Sequence, residues 1–378
     1  MDKAEHGEAQ SASGEAQPAS GEAQPASEHA RSHHSLRALL AARGHLQKKA
    51  LTLLGYVIVA YLIVRLIPGL KQGLRSLEQV RWQWVLAALG IETLSELGYV
   101  VSWRAIVDPE DLLSGEGRGE RMASRVAWVQ LGGGMLVPGG TLSSVGVGAW
   151  ILHRFGMPNK LIAERQFNLQ FLNTGIDALA LIVFGAGLAI GIFSGECKLT
   201  LTLVPAAVAA IGLAGALLIA RIGTGYAERA HETHPKIAAA IEALAAAVED
   251  TKRLLTHRGG LRAVLGAVAY FGFDVAVLWS AFLAIGTHPT PSFAIVVMAY
   301  IIGALGGSIP LPAGAGSIGG MVGMLIVYGV DHNAAVVAVI LYQAIGQIVP
   351  LVGGGIAYLH LRGKFGPIKQ VASLEPSQ

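Results

Sequence analysis

Four carboxylates interrupt long apolar stretches of this chain: Glu92, Glu96, Asp177 and Asp274. An ionised carboxylate at the centre of a membrane helix costs about 2.5–3.5 kcal/mol even on a lenient insertion scale, so such groups are expected to face a bundle interior or a cavity. Glu92 and Glu96 stand four apart and share one helix face. Like charges that close do not both ionise at low cost in a dry site. Their chemistry would be proton binding or contact with a cationic headgroup; the plainer alternative is hydrogen bonding between helices. Asn173 and Gln347 place amides in similar surroundings, where they would line a path or bond across helices.

A second kind of chemistry belongs to two broken stretches, Ala123–Leu152 and Phe293–Val330. The first is interrupted by Pro138, Gly139 and Gly140, the second by Pro310, Pro312 and Gly314. Backbone at membrane depth must be satisfied internally or line a wet cavity. After each break a half-helix begins, and its free N–H groups and dipole suit an anion. Thr141, Ser143 and Ser317 add hydroxyl donors. Two such starts facing each other would hold a lipid phosphate. Alternatively, Pro and Gly only kink tightly packed helices.

These groups need helices to position them, and the composition supplies little else. Hydrophobic residues make up 53% of the 378 and charged residues 14%, where a soluble domain carries about 25% charged. A crossing helix takes about 20 apolar residues. Ala50–Ile67, Trp84–Trp103, Phe167–Phe193, Leu199–Ala220, Ala263–Ile285 and Ala334–Leu361 approach or exceed that length. If both broken stretches are re-entrant hairpins, 22 of the 28 Lys and Arg lie in cytoplasmic segments and 4 outside; if both cross fully, the count is 13 against 13. The positive-inside rule therefore selects the hairpins. The expected fold is an all-α polytopic membrane protein with six full spans and two re-entrant helical hairpins. Both termini would be cytoplasmic, in a cell membrane.

The arrangement implies an inverted-topology repeat, a common plan in transporters. Repeat one would cover about 50–193 and repeat two about 199–361, at an ungapped offset of 174 that sets Pro138 on Pro312, Gly140 on Gly314, Ser143 on Ser317 and Asn173 on Gln347. Residues 1–34 hold GEAQPAS-type repeats without large apolar side chains and are expected to be a disordered tail ahead of the membrane domain, 35–362. Residues 363–378 would form a second cytoplasmic tail. Within the polar linker 221–260, Ile237, Ile241, Leu244, Val248 and Leu255 recur at helical spacing, as in an amphipathic helix on the membrane surface or a short helical linker.

Net charge is only +3, which gives a nucleic-acid partner no support, and Cys197 stands alone, which excludes an internal disulfide. No nucleotide-binding, zinc-protease or serine-hydrolase signature is present. Asp108, Glu110 and Asp111 crowd together, but such a run reads as a solvated loop. Neither catalysis nor a cofactor or metal is expected.

Leu136-Val137-Pro138-Gly139-Gly140 and Trp150–Gly156 resemble the first signature of a known family, the transmembrane, flippase-like region of lysylphosphatidylglycerol synthases and its stand-alone relatives. Ile309–Gly319, Tyr328-Gly329-Val330 and Leu341-Tyr342-Gln343 resemble the second. The family often has Glu where this chain has Gly319 and Arg where it has Gln343, and Ala313 stands for a Gly; roles tied to that Glu or Arg do not transfer. Full-length synthases carry a soluble aminoacyl-transfer domain after the membrane part, and only seventeen residues follow Leu361 here. The resemblance therefore implies movement of a phospholipid or polyprenyl-linked lipid between leaflets, not synthesis. The alternatives are a membrane partner of a separately encoded glycosyl- or aminoacyl-transferase, and an enzyme acting on a polyprenyl carrier.

Overall fold

Unbroken apolar runs become single long helices in this chain, and runs broken by Pro and Gly become pairs of short ones. The computed structural model describes residues 80–114, 121–136, 141–195, 199–230, 234–256, 258–308 and 315–365, all within one unit, Tyr61–Gln378. Among them are ten α-helices and no strand. The tail 1–34, the first expected span Ala50–Ile67 and both expected hairpin tips lie outside the described residues.

Helix α1 is Trp82–Val107. The first broken stretch gives α2, Met122–Leu136, and α3, Thr141–Arg154. Then follow α4, Asn159–Ala189, α5, Leu199–Ala230, α6, Pro235–Thr256, and α7, Arg258–Ile285. The second broken stretch gives α8, Phe293–Ala304, and α9, Ala315–Val327. Helix α10 is His332–Phe365. Five segments are long and apolar enough to cross a membrane: Trp82–Val107, Asn159–Ala189, Leu199–Arg221, Gly260–Ile285 and His332–Leu361. They correspond to the second through sixth expected spans. The helices outrun the apolar blocks because polar helix formers continue them until a breaker intervenes: α5 passes Ala220 to Ala230, and Pro235 opens α6, at the first helical position, where its missing N–H is not needed.

Each broken stretch folds back on itself. Ser144 Oγ donates to the Gln130 carbonyl at 2.9 Å and Ser143 Oγ to the Gly134 carbonyl at 3.3 Å, which sets α2 and α3 antiparallel. In the second pair a Cβ on Gly303 would lie 2.5 Å from Met321, and one on Gly306 would lie 2.4 Å from the Gly316 oxygen. Helices α8 and α9 are therefore antiparallel too, and only glycine allows their backbones this close.

Helices α1 and α7 form the most extensive pairing and also run antiparallel. Ser95 Oγ donates to the Tyr270 carbonyl at 2.7 Å, and Gly98 lies against Gly266 and Tyr270. Shifted by 174, the bounds of α1, α2, α3 and α4 become 256–281, 296–310, 315–328 and 333–363, close to those of α7, α8, α9 and α10. Their contacts correspond as well. Helix α2 touches α10 as α8 touches α4; α1 touches α4 as α7 touches α10; α1 touches α10 as α7 touches α4.

Helix α6 packs on α4, α5 and α7 and is pinned to α4 by Asn168 Nδ2 donating to Asp250 Oδ2 at 2.7 Å. Ala238, Ala247 and Val248 are buried on it, and Ile237 is 51% exposed. The small residues make the closer face. In its membrane-length segment α5 is only 6% buried and presents Leu203, Val204, Val208 and Ile211 outward, the exposure of a lipid-facing helix.

Candidate functional site: a carboxylate seam

The buried apolar side chains fall into two clusters. One holds Val85 and Ala88 of α1, Leu181 of α4, Val275 and Leu278 of α7, and Ile345 of α10. The other holds Tyr99 and Trp103 of α1, Ile176 of α4, Ala267 of α7, and Ala357 of α10. On every helix the change from one cluster to the other leaves a gap, and the carboxylates stand in it: Glu92 and Glu96 between Ala88 and Tyr99, Asp177 between Ile176 and Leu181, Asp274 between Ala267 and Val275. Four carboxylates from three separate membrane-length helices thus stand in one polar seam near the helix middles.

Asp274 is the centre of this group. Its charge acts on Glu92, Glu96 and Asp177, and Glu96 also acts on Glu92. Two phenols hold it: Tyr300 Oη donates to Asp274 Oδ2 at 2.5 Å and Tyr342 Oη at 3.2 Å. Short O–H···O contacts like the first are characteristic of a charged acceptor. Tyr300 comes from α8 and Tyr342 from α10, so both a hairpin and the last helix are tied to the carboxylate. The two glutamates are held differently. Each is 3% exposed, and Glu92 Oε2 and Glu96 Oε2 are buried without a hydrogen-bond partner. Among the described residues none of the four carboxylates is ion-paired, and no group of His, Cys, Asp and Glu is arranged to hold a metal. Buried polar atoms are almost always satisfied in folded proteins, so two orphan carboxylate oxygens within one helical turn are the conspicuous feature of the seam.

Glu92 faces α10 at Gly346, where a Cβ would lie 3.7 Å from Glu92 Oε1. Pro350 sits one turn further along α10. Having no N–H, it leaves the Gly346 carbonyl without its helical donor.

The remaining sequence-derived candidates are more scattered. Asn173 is half-buried one turn before Asp177 on α4, and Gln347 is exposed on α10. Ser143 and Ser317 are half-buried near the starts of α3 and α9, and Thr141 is the first residue of α3. Pro138, Gly139, Gly140, Pro310, Pro312 and Gly314 lie outside the described residues, between α2 and α3 and between the Leu305–Ser308 3-10 turn and α9.

Sequence reasoning missed the tyrosines on Asp274, although a tyrosine deep in an apolar run was the available signal. It also missed a buried amide network beside the seam. Gln130 of α2 is fully buried, accepts from Trp103 Nε1 at 2.9 Å and donates to Tyr99 Oη at 3.0 Å. Gln130 and Gln166 bond amide to amide at 3.0 Å. This ties α1, α2 and α4 together.

The acidic run after α1 is structural. Asp108 is buried and accepts from the backbone N–H groups of Leu112 at 2.8 Å and Leu113 at 3.3 Å. Burial pushes its carboxyl above the ordinary value while the two amides oppose that shift. Arg165 donates to the Val107 carbonyl at 2.8 Å and to Glu110 at 2.6 Å, and Arg104 pairs with Asp111. Only Glu110 and Asp111 fit the expected solvated loop.

No curated protein sequence matches the chain. The family model described as lysylphosphatidylglycerol synthase TM region matches residues 52–354, and by that match this all-helical membrane protein belongs to the family.

Proposed function

We propose that the protein is a flippase-like translocator that moves a phospholipid or polyprenyl-linked lipid between leaflets. The carrying observation is the carboxylate seam, which lies where the two corresponding sets of helices meet. Charged groups at such depth are characteristic of substrate and ion pathways.

In this reading α1–α4 and α7–α10 are the two halves of an inverted repeat, and the α2–α3 and α8–α9 hairpins are re-entrant. Support comes from the matching element bounds, the paired contacts, and the antiparallel packing of the equivalent helices α1 and α7, which a two-fold axis in the membrane plane requires. The lipid phosphate sits between the hairpin tips, against the starts of α3 and α9. Asn173 and Gln347 line the path to the seam. The protein resides in the cell membrane with both termini in the cytoplasm.

The test is a leaflet-resolved assay. The full chain is reconstituted in vesicles carrying fluorescent phosphatidylglycerol, and the outer-leaflet probe is bleached with dithionite. Faster loss of inner-leaflet probe than in protein-free vesicles supports the reading. Rates equal to those of protein-free vesicles, for phospholipid and polyprenyl-phosphate probes alike, refute it and leave the transferase-partner role in its place.

A further inference from the structure

The two orphan oxygens ask for a ligand of a particular kind. Glu92 and Glu96 share one face of α1, are almost wholly buried, and lack a partner for one oxygen each. The groups facing them are few. Helix α7 contributes Asp274 and Tyr270, α8 contributes Tyr300, α10 contributes Tyr342, and α4 contributes Asp177. Tyr99 lies on α1 itself and bonds Gln130 of α2, which does not titrate. None of these is a cation. Among the described residues no group of His, Cys, Asp and Glu is arranged to hold a metal, and an ammonium headgroup would demand room around two side chains that are each only 3% exposed.

A proton satisfies both orphans with no added volume. Bound to one Oε2, it turns an acceptor into a donor. That donor has an acceptor in its surroundings, the neighbouring glutamate one turn away on the same helix face. Asp274, already receiving two hydroxyls, is saturated as an acceptor on the oxygen that faces them. The two kinds of carboxylate thus differ: Asp274 is held by two hydroxyls, and the glutamate pair keeps the unsatisfied oxygens.

We propose that Glu92 and Glu96 form a proton-binding site, and that the proton they exchange with water on either side is the coupling ion for lipid movement. The second half rests on the translocator reading; the first does not. The step is a protonation: a proton leaves hydronium, forms an O–H bond on a glutamate oxygen, and is returned to water when the site opens to the other side. No electron transfer or other co-reactant is involved.

Two measurements test it on the full chain in vesicles of phosphatidylglycerol and phosphatidylethanolamine. Infrared difference spectra between about pH 7 and about pH 10, where solvated carboxyls that titrate at about 4 are already ionised, isolate carboxyls that still hold a proton at neutral pH. The parent should show a carboxylic-acid band that shifts in heavy water, weakens in Glu92→Gln and in Glu96→Gln, and disappears from the double variant's difference; Glu164→Gln, an exposed control, should retain it. An unchanged band in the double variant overturns the site. The parent spectrum alone keeps the test open should the variants misfold, since absence of any such band also overturns it. In the second measurement a pH gradient of one unit is imposed across vesicles carrying fluorescent phosphatidylglycerol. One proton per lipid gives about tenfold leaflet asymmetry, and the glutamate variants should lose that response. A sodium gradient that drives the probe where a pH gradient does not overturns the coupling. A carboxylic-acid band in a protein that moves no lipid upholds the proton site and refutes the translocator reading, so the two failures are distinct.

Discussion

Replacing Gly98 with Ala tests whether the α1–α7 contact sets the seam. The added Cβ would sit 2.7 Å from both the Gly266 carbonyl oxygen and the Tyr270 amide nitrogen, and 3.1 Å from Ala269 Cβ. Ordinary contact begins near 3.4 Å, so the helices must part by several tenths of an ångström. Both obstacles at 2.7 Å are backbone, and no side-chain rotation relieves them. Overpacking of this kind costs about 1–3 kcal/mol. The displacement falls close to Glu96 and to the Ser95–Tyr270 hydrogen bond, so it should loosen the seam as well as the fold. Gly90 provides the control on the same helix: a Cβ there meets nothing within 4 Å, and Ala instead recovers up to about 1 kcal/mol of helix propensity. The same one-carbon change, eight positions apart, should therefore act with opposite sign. Unfolding in mixed micelles, followed by circular dichroism against denaturant, measures the difference. If Gly98→Ala is as stable as Gly90→Ala, the backbone contact between α1 and α7 is not what holds these helices together.

Other consequences follow from the same geometry. Tyr300→Phe removes the shorter hydroxyl on Asp274 and, as a hydrogen bond to a charged acceptor, should cost about 1.5–3 kcal/mol, more than Tyr342→Phe; equal effects in the same unfolding assay would contradict the assignment of Tyr300 as the main donor. External cysteine labelling should reach positions 287–292 and 331–333 and miss Lys160→Cys; labelling at 160 from outside would reject the re-entrant hairpins. Gly140→Leu and Gly314→Leu should each abolish lipid translocation, and parental rates in both would remove the hairpin tips from the mechanism.

Much of the fold was legible because the membrane simplifies it. Apolar length alone located the spans from Trp82 onward, since a bilayer admits few alternatives to a helix about 20 residues long. Proline and glycine at 138–140 and 310–314 marked where each broken stretch divides into two helices. The carboxylates could be flagged as interior by cost. Their meeting could not be read, because it depends on helix rotation and on the antiparallel register of α1 and α7, which Gly98 and Gly266 fix through backbone contact. Nor could hydropathy single out Tyr300 and Tyr342, whose rings suit an apolar run while their hydroxyls serve Asp274. Which residues of α6 pack on its neighbours could not be read either, because close packing selected the small Ala238 and Ala247.

The seam also separates what the two halves share from what they do not. At the offset of 174, Glu92 corresponds to Gly266, Glu96 to Tyr270, Asp177 to Leu351 and Asp274 to Val100. No carboxylate falls on another, although the helices bearing them correspond closely. The helix bounds thus correspond while the acidic residues do not. If the two halves exchange roles as the protein opens to one side and then the other, the scaffold offers nearly equivalent packings, which keeps their energies close. The acidic groups have no counterparts at the corresponding positions, so under the proposed function they are a single site used from both directions. A duplicated set would double the buried charge, at several further kcal/mol by the insertion scale. One asymmetric cluster at the junction supplies the same access at the lower cost. Moving a carboxylate to its equivalent position, as in Glu96→Tyr combined with Tyr270→Glu, tests this directly. The exchange should keep the pH-dependent carboxylic-acid band at parental strength, above that of Glu96→Gln alone, because position 270 adjoins Ser95 and Gly98 of α1 and stands one turn from Asp274 on α7. A band no stronger than that of Glu96→Gln in a folded double variant would show that the surrounding side chains, and not the helix positions, define the site.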